Sequence, residues 1–135
     1  MELKRVVVTG MGALTPIGNS VPELWNNLRD GVSGAAPITK FDVSKFKTKF
    51  ACTVKGFDPA DHFDRKEVRK MDPFVQYAMV AATQAVDNSK MDLDSVDPDR
   101  VGVVWGSGIG GMTTVMEQIT EFALGDGTPR FNPFF

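Results

Sequence analysis

Two β-branched runs, each ending in a cluster of glycines, set the tightest limit on what this chain can fold into. Residues 4–9 (KRVVVT) run into Gly10, Gly12, Pro16 and Gly18, and residues 100–105 (RVGVVW) run into Gly106, Gly108, Gly110 and Gly111. Continuous apolar runs of this length, with no polar alternation, predict strands buried on both faces. Helical patterns follow each of them. Ser20 stands three residues before Glu23, the spacing of a capping box, and Val21, Leu24, Trp25 and Leu28 share one face before Gly31 ends it. Asp72 followed by Pro73 predicts a second helix start, with the aspartate capping the free amides. Phe74, Val75, Ala78, Met79, Ala82, Ala85 and Val86 then form an apolar stripe poor in bulk, so this helix is expected to be well buried and closely packed. Residues 112–122 predict a third, amphipathic helix, ended by Gly125 and Gly127. Strand, loop and helix in this order predict an α/β domain with a mostly parallel or mixed sheet.

The remaining segments carry weaker patterns. Residues 41–57 mix Lys45, Lys47 and Lys49 with Phe46, Phe50 and Val54, which suggests exposed strands or a hairpin flap, and residues 92–99 read as an acidic linker. A length of 135 residues fits one domain. Finishing on Phe134 and Phe135 is unusual for a terminus, which predicts a piece of a larger fold. Lys+Arg 15 against Asp+Glu 17 leaves a net charge of -2, so bulk charge gives no reason to expect nucleic acid or a membrane surface as partner. A single cysteine allows no internal disulfide, and the chain has no signal-peptide layout, which fits the cytoplasm.

Several residues invite stronger readings than they support. Gly106, Gly108 and Gly111 satisfy G-x-G-x-x-G between a predicted strand and a helix, the setting of a dinucleotide pyrophosphate site. The fingerprint also needs a second strand ending in an acidic residue about 20 residues on. Here that region is LGDGTPRFN, where Asp126 sits in a glycine turn. Close backbone packing is the plainer use of such glycines. Cys52 lies in a strand-like ACTV run with no helix start behind it, so a half-buried structural thiol is expected. His62 has no second histidine or cysteine at ligand spacing, which leaves a surface or capping role and no metal.

Taken in order, VVVTGMGALTPIGN, the Trp25 helix, DRKEVRKMDPFVQYA, VGVVWGSGIGG and RFNPFF resemble the amino-terminal region of the elongating β-ketoacyl-[acyl carrier protein] synthases, the type II members above all. The resemblance implies a partial thiolase-like α/β fold, the first part of the amino-terminal half of a layered αβαβα architecture. Residues 1–135 would then be a synthase amino-terminal domain cut before the catalytic cysteine, with no catalytic residue of its own and inactive alone. It further implies a homodimer, no cofactor, and a decarboxylative Claisen condensation in fatty acid elongation, with acyl carrier protein as the partner that delivers acyl and malonyl groups.

Three readings of individual residues follow from that resemblance. Arg65, Lys66, Arg69 and Lys70 bracket Glu67, and Lys66, Arg69 and Lys70 match positions that dock the acidic carrier protein; on sequence alone they would be a solvated helix face. Ile109 matches a residue lining the acyl-chain pocket, and Phe135 an aromatic reaching that pocket from the dimer partner. A non-catalytic chain-length factor would share all these features, and a dinucleotide-binding domain is the remaining alternative. A stand-alone binding module would leave large apolar surfaces in water, so aggregation is expected of the chain by itself.

Overall fold

The computed structural model describes residues 3–133. Its elements in chain order are α1 (Val21–Arg29), β1 (Ala35–Pro37), β2 (Phe50–Cys52), a 3₁₀ turn (Pro59–Asp61), α2 (Arg65–Val68), α3 (Pro73–Ser89), a second 3₁₀ turn (Pro98–Arg100) and α4 (Met112–Leu124). The chain divides into two compact units: residues up to Phe57 with Val80–Leu93, and Asp58–Met79 with the residues from Asp94 onward. None of the helices among the described residues is long and apolar enough to cross a membrane.

In the first unit the glycine loop of residues 10–19 lies against the second half of α3. A Cβ at Gly10 would overlap the carbonyl oxygen of Ala85, and one at Gly12 would overlap that of Ala81. The bare backbone of the loop and the small side chains of the helix therefore meet at a separation only glycine permits. Hydrogen bonds fix the register of this contact. The amide of Met11 donates to Asn88 Oδ1 at 3.1 Å, and that of Ala13 donates to Gln84 Oε1 at 3.0 Å. Gln84 Nε2 donates in turn to the carbonyl of Asn19 at 2.8 Å, so one side chain ties Ala13 to the far end of the loop. The predicted close approach of α3 is real, but its partner is a loop.

α1 begins as its sequence predicts. Ser20 Oγ accepts from the Glu23 amide, and Glu23 Oε2 reaches back to the amide of Asn19 at 2.7 Å, one residue before the usual capping-box donor. Gly31, at φ +71°, ends it. Val21 and Leu24 are half-buried, while Trp25 and Leu28 stay exposed. The expected flap is an antiparallel ribbon in which Ala35 faces Cys52 and Pro37 faces Phe50. Its first strand lies ahead of the segment that carries the alternation, because the lysine-rich stretch between the strands forms turns.

Two expectations need correction. The runs at residues 4–9 and 100–105 are not paired into a sheet, and their side chains are wet: Val6 is 89% exposed, Val103 88% and Val104 97%. A strand is stable only when a neighbour satisfies its backbone groups and another layer covers its side chains. Neither run has such a neighbour among the described residues. For the same reason α3 is half-buried instead of well buried, with Val80 the one buried apolar side chain among the described residues and Met79 and Val86 exposed. The exposed surface is 11243 Å². Two separate folded domains of half the 14.7 kDa mass would expose only about 8,400 Å² together.

Gly12→Ala in the full-length protein is expected to lower stability by about 1–3 kcal/mol, the usual cost of forcing a group into a closed contact. Urea denaturation measures it, and an unchanged midpoint would mean that the loop does not need its close seat on α3.

Candidate functional site

The second unit builds a cleft from a short cationic turn, the start of α3 and the start of α4. Asp64 caps α2: its Oδ1 accepts from the amides of Lys66 at 2.8 Å and Glu67 at 2.9 Å. The chain then continues through hydrogen-bonded turns, Lys70 N to Glu67 O and Met71 N to Val68 O, into the start of α3. Arg69 and Lys70 are carried to the rim of the cleft, and Lys66 is exposed on α2 outside its lining. Lys70 Nζ contacts Glu67 Oε1 at 2.7 Å, and that carboxylate holds the Lys70 ammonium above the usual lysine range. Lys70 therefore keeps its proton and is paired with Glu67, whereas Arg69 makes no ion pair among the described residues.

The opposite wall is the amino terminus of α4. Gly111 occupies the cap position at φ +71°, a left-handed conformation that costs other residues roughly 1–2 kcal/mol, and it offers no side-chain oxygen to the first amides. Asp72 supplies what is missing. Its Oδ2 accepts from the Thr114 amide at 3.0 Å and from Thr114 Oγ1 at 2.9 Å. The predicted cap residue thus caps the other helix, and only its carbonyl serves α3, accepting from Val75 and Gln76. A carboxylate at this place suits the positive end of the helix. It also gives α4 a partner that would repel a pyrophosphate, which removes the physical basis for reading G-x-G-x-x-G as a dinucleotide site.

Behind the rim the cleft is apolar. Phe74, Val75 and Val115 line it, the ring of Phe74 lies so close to Gly110 that a Cβ there would sit 2.9 Å from Cζ, and the open cleft has a volume of about 540 Å³. Asn132 closes one side, its amide bonded to Gln118 Oε1. A cationic mouth over an apolar floor can receive an acidic, amphiphilic partner. It holds no thiol, hydroxyl–imidazole pair or paired carboxylates that would carry out chemistry on one, and no cluster of three His, Cys, Asp or Glu among the described residues is placed for a metal.

Of the residues singled out by sequence, Arg69 and Lys70 meet the glycine bend in one cleft. Ile109, next to that bend, is 75% exposed and outside the lining. Phe135 lies outside the described residues. Cys52 is exposed, not half-buried as expected, because alternation along the ribbon turns Ala51 inward and Phe50 and Cys52 outward. His62 ends the first 3₁₀ turn with its ring 6.2 Å from that of Phe63, in line with a capping role. Thr114 and Gln76 were not legible as site residues. A glycine at a helix start with no capping oxygen was the one signal that a donor elsewhere was needed.

Residues 3–131 match the model of the beta-ketoacyl synthase N-terminal domain. The chain belongs to the beta-ketoacyl synthase family. It is 46% identical to a 3-oxoacyl-[acyl-carrier-protein] synthase 2 of Coxiella burnetii over 135 residues, and 47% identical to that of Staphylococcus aureus strain COL over 132. These matches cover 100% and 98% of the chain, and the chain spans 32% of each relative. Among solved structures, a complex of a type II PKS acyl-carrier protein with its ketosynthase bound to the hexaketide contains a chain that matches at TM-score 0.76 and 30% identity. That match covers 98% of this chain and 34% of the other. The chain thus has the partial thiolase-like α/β fold expected of it, and the sheet among the described residues is the two-stranded ribbon.

Proposed function

We propose that the protein carrying this synthase domain is a 3-oxoacyl-[acyl-carrier-protein] synthase of fatty acid elongation, working as a homodimer. The observation that carries this reading is identity of 46% and 47% along essentially the whole chain with proteins of that name. The same relatives favour an enzyme over a non-catalytic chain-length factor. In the proposed reaction an acyl group passes from its carrier to an enzyme thiolate and releases the carrier thiol. Malonyl-carrier then loses carbon dioxide, its carbanion attacks the acyl carbonyl, and the enzyme thiolate leaves as the new carbon–carbon bond forms. Nothing assigns the thiolate to Cys52, which lies exposed on the ribbon with no helix start behind it.

The part of this work given to the present chain is docking. Arg69, Lys70 and Lys66 place positive charge on one short segment of a chain whose net charge is -2, the local focusing that steers an acidic carrier into register. Ile109, and Phe135 from the partner subunit, are proposed to border the acyl chain, where each accommodated methylene contributes roughly 0.8 kcal/mol and an overlapping side chain costs more.

Two outcomes are expected in the full-length protein. Lys66→Glu combined with Arg69→Glu should raise the KM for carrier-linked substrates at least tenfold, from the loss of roughly 1.4 kcal/mol or more, with a much smaller change on small thioesters. Equal losses on both substrates would argue against docking here. Ile109→Phe should shorten the acyl chains accepted, read from product lengths, and an unchanged distribution would remove Ile109 from the acyl pocket.

A further inference from the structure

We propose that Asp72 is a positioning residue for the carrier-docking segment, setting the direction of Arg69 by fastening the end of that segment to α4; this rests on the docking reading above. α2 is only four residues long, Arg65–Val68, far too short to hold its shape alone. Asp64 secures its start. Its other end runs out through the turn bonds of Lys70 and Met71, and the Lys70–Glu67 pair there lies in solvent, where such pairs contribute little.

That end is held at Met71 and Asp72 instead. The Met71 carbonyl accepts from Nε2 of Gln76, a side chain only 6% exposed, at 2.9 Å. Asp72 adds the two partly buried bonds from Thr114, both strengthened by the carboxylate charge. Asp72 stands three residues after Arg69, and the turns at Lys70 and Met71 leave little slack between them. Arg69 makes no ion pair among the described residues that would aim it, so its direction comes from its backbone. Because Gly111 leaves α4 without a cap of its own, the two elements depend on the same carboxylate.

A double-mutant cycle in the full-length protein tests this. Arg69→Ala, Asp72→Asn and the double variant are assayed with a carrier-linked acyl substrate and with a small acyl thioester. Thr114→Ser, which keeps both donors, serves as the conservative control. Asp72→Asn is expected to raise the carrier-linked KM about three- to tenfold, the scale of a weakened charged hydrogen bond, without a matching loss on the small thioester. The double variant should cost no more than Arg69→Ala alone, and Thr114→Ser should keep the original KM. If Asp72→Asn does not fold, Thr114→Val, which removes only the hydroxyl bond, is read by the same criteria. Additive effects with Arg69→Ala, or equal losses on both substrates, overturn the positioning role alone. An unchanged KM for Arg69→Ala overturns the docking reading, and the positioning role with it.

Discussion

The carboxylate of Asp72 is the interaction on which the candidate site depends. It answers a need created by Gly111, a residue suited to the left-handed turn before α4 but unable to cap the helix that follows. By answering that need from the start of another helix, it joins the cationic turn to the glycine bend. The cleft exists because of that joint: Arg69 and Lys70 form one lip, Gly110 and Gly111 the other, and Phe74 fills the gap that a glycine without a side chain leaves.

A second constraint acts in the other unit, where shape and not charge decides the contact. Gly10 and Gly12 permit backbone-to-backbone approach to Ala81 and Ala85, and Gln84 and Asn88 satisfy the amides that this approach would otherwise strand. Both units use one economy: small residues bring backbones together, and a nearby amide or carboxylate then meets the polar groups caught in the contact. What neither unit has among the described residues is a closed apolar core. Val6, Val103 and Val104 lie in water, and the matched relatives are about three times as long as the chain, which spans 32% of them.

Much of this was legible in the residues, and the exceptions share a cause. α1 could be read from Ser20, Glu23 and Gly31 because every group that starts and stops it lies within a few residues. α4 could be read from its amphipathic period, and the close packing of α3 from its alanines. Asp72 was legible as a cap but not as the cap of another helix, since a carboxylate three residues from one set of amides and 42 from another cannot declare which it will serve. The two β-branched runs were legible as strand material, yet pairing is a property of two segments and depends on what lies beside each run. Cys52 went to the exposed face because register on a ribbon is set by its turn and partner strand, which composition does not encode. The cationic cluster was legible as charge. That Arg69 and Lys70, but not Lys66, reach the rim of an apolar cleft required the fold.

The central claim is that the Arg69 face engages an acidic carrier protein by charge, and the salt dependence of that binding tests it most directly. Titration calorimetry of acyl carrier protein into the full-length protein should show affinity falling as salt rises, with a clearly shallower dependence for Arg69→Glu. Affinity that is the same at low and high salt, or a slope that Arg69→Glu leaves unaltered, would contradict it.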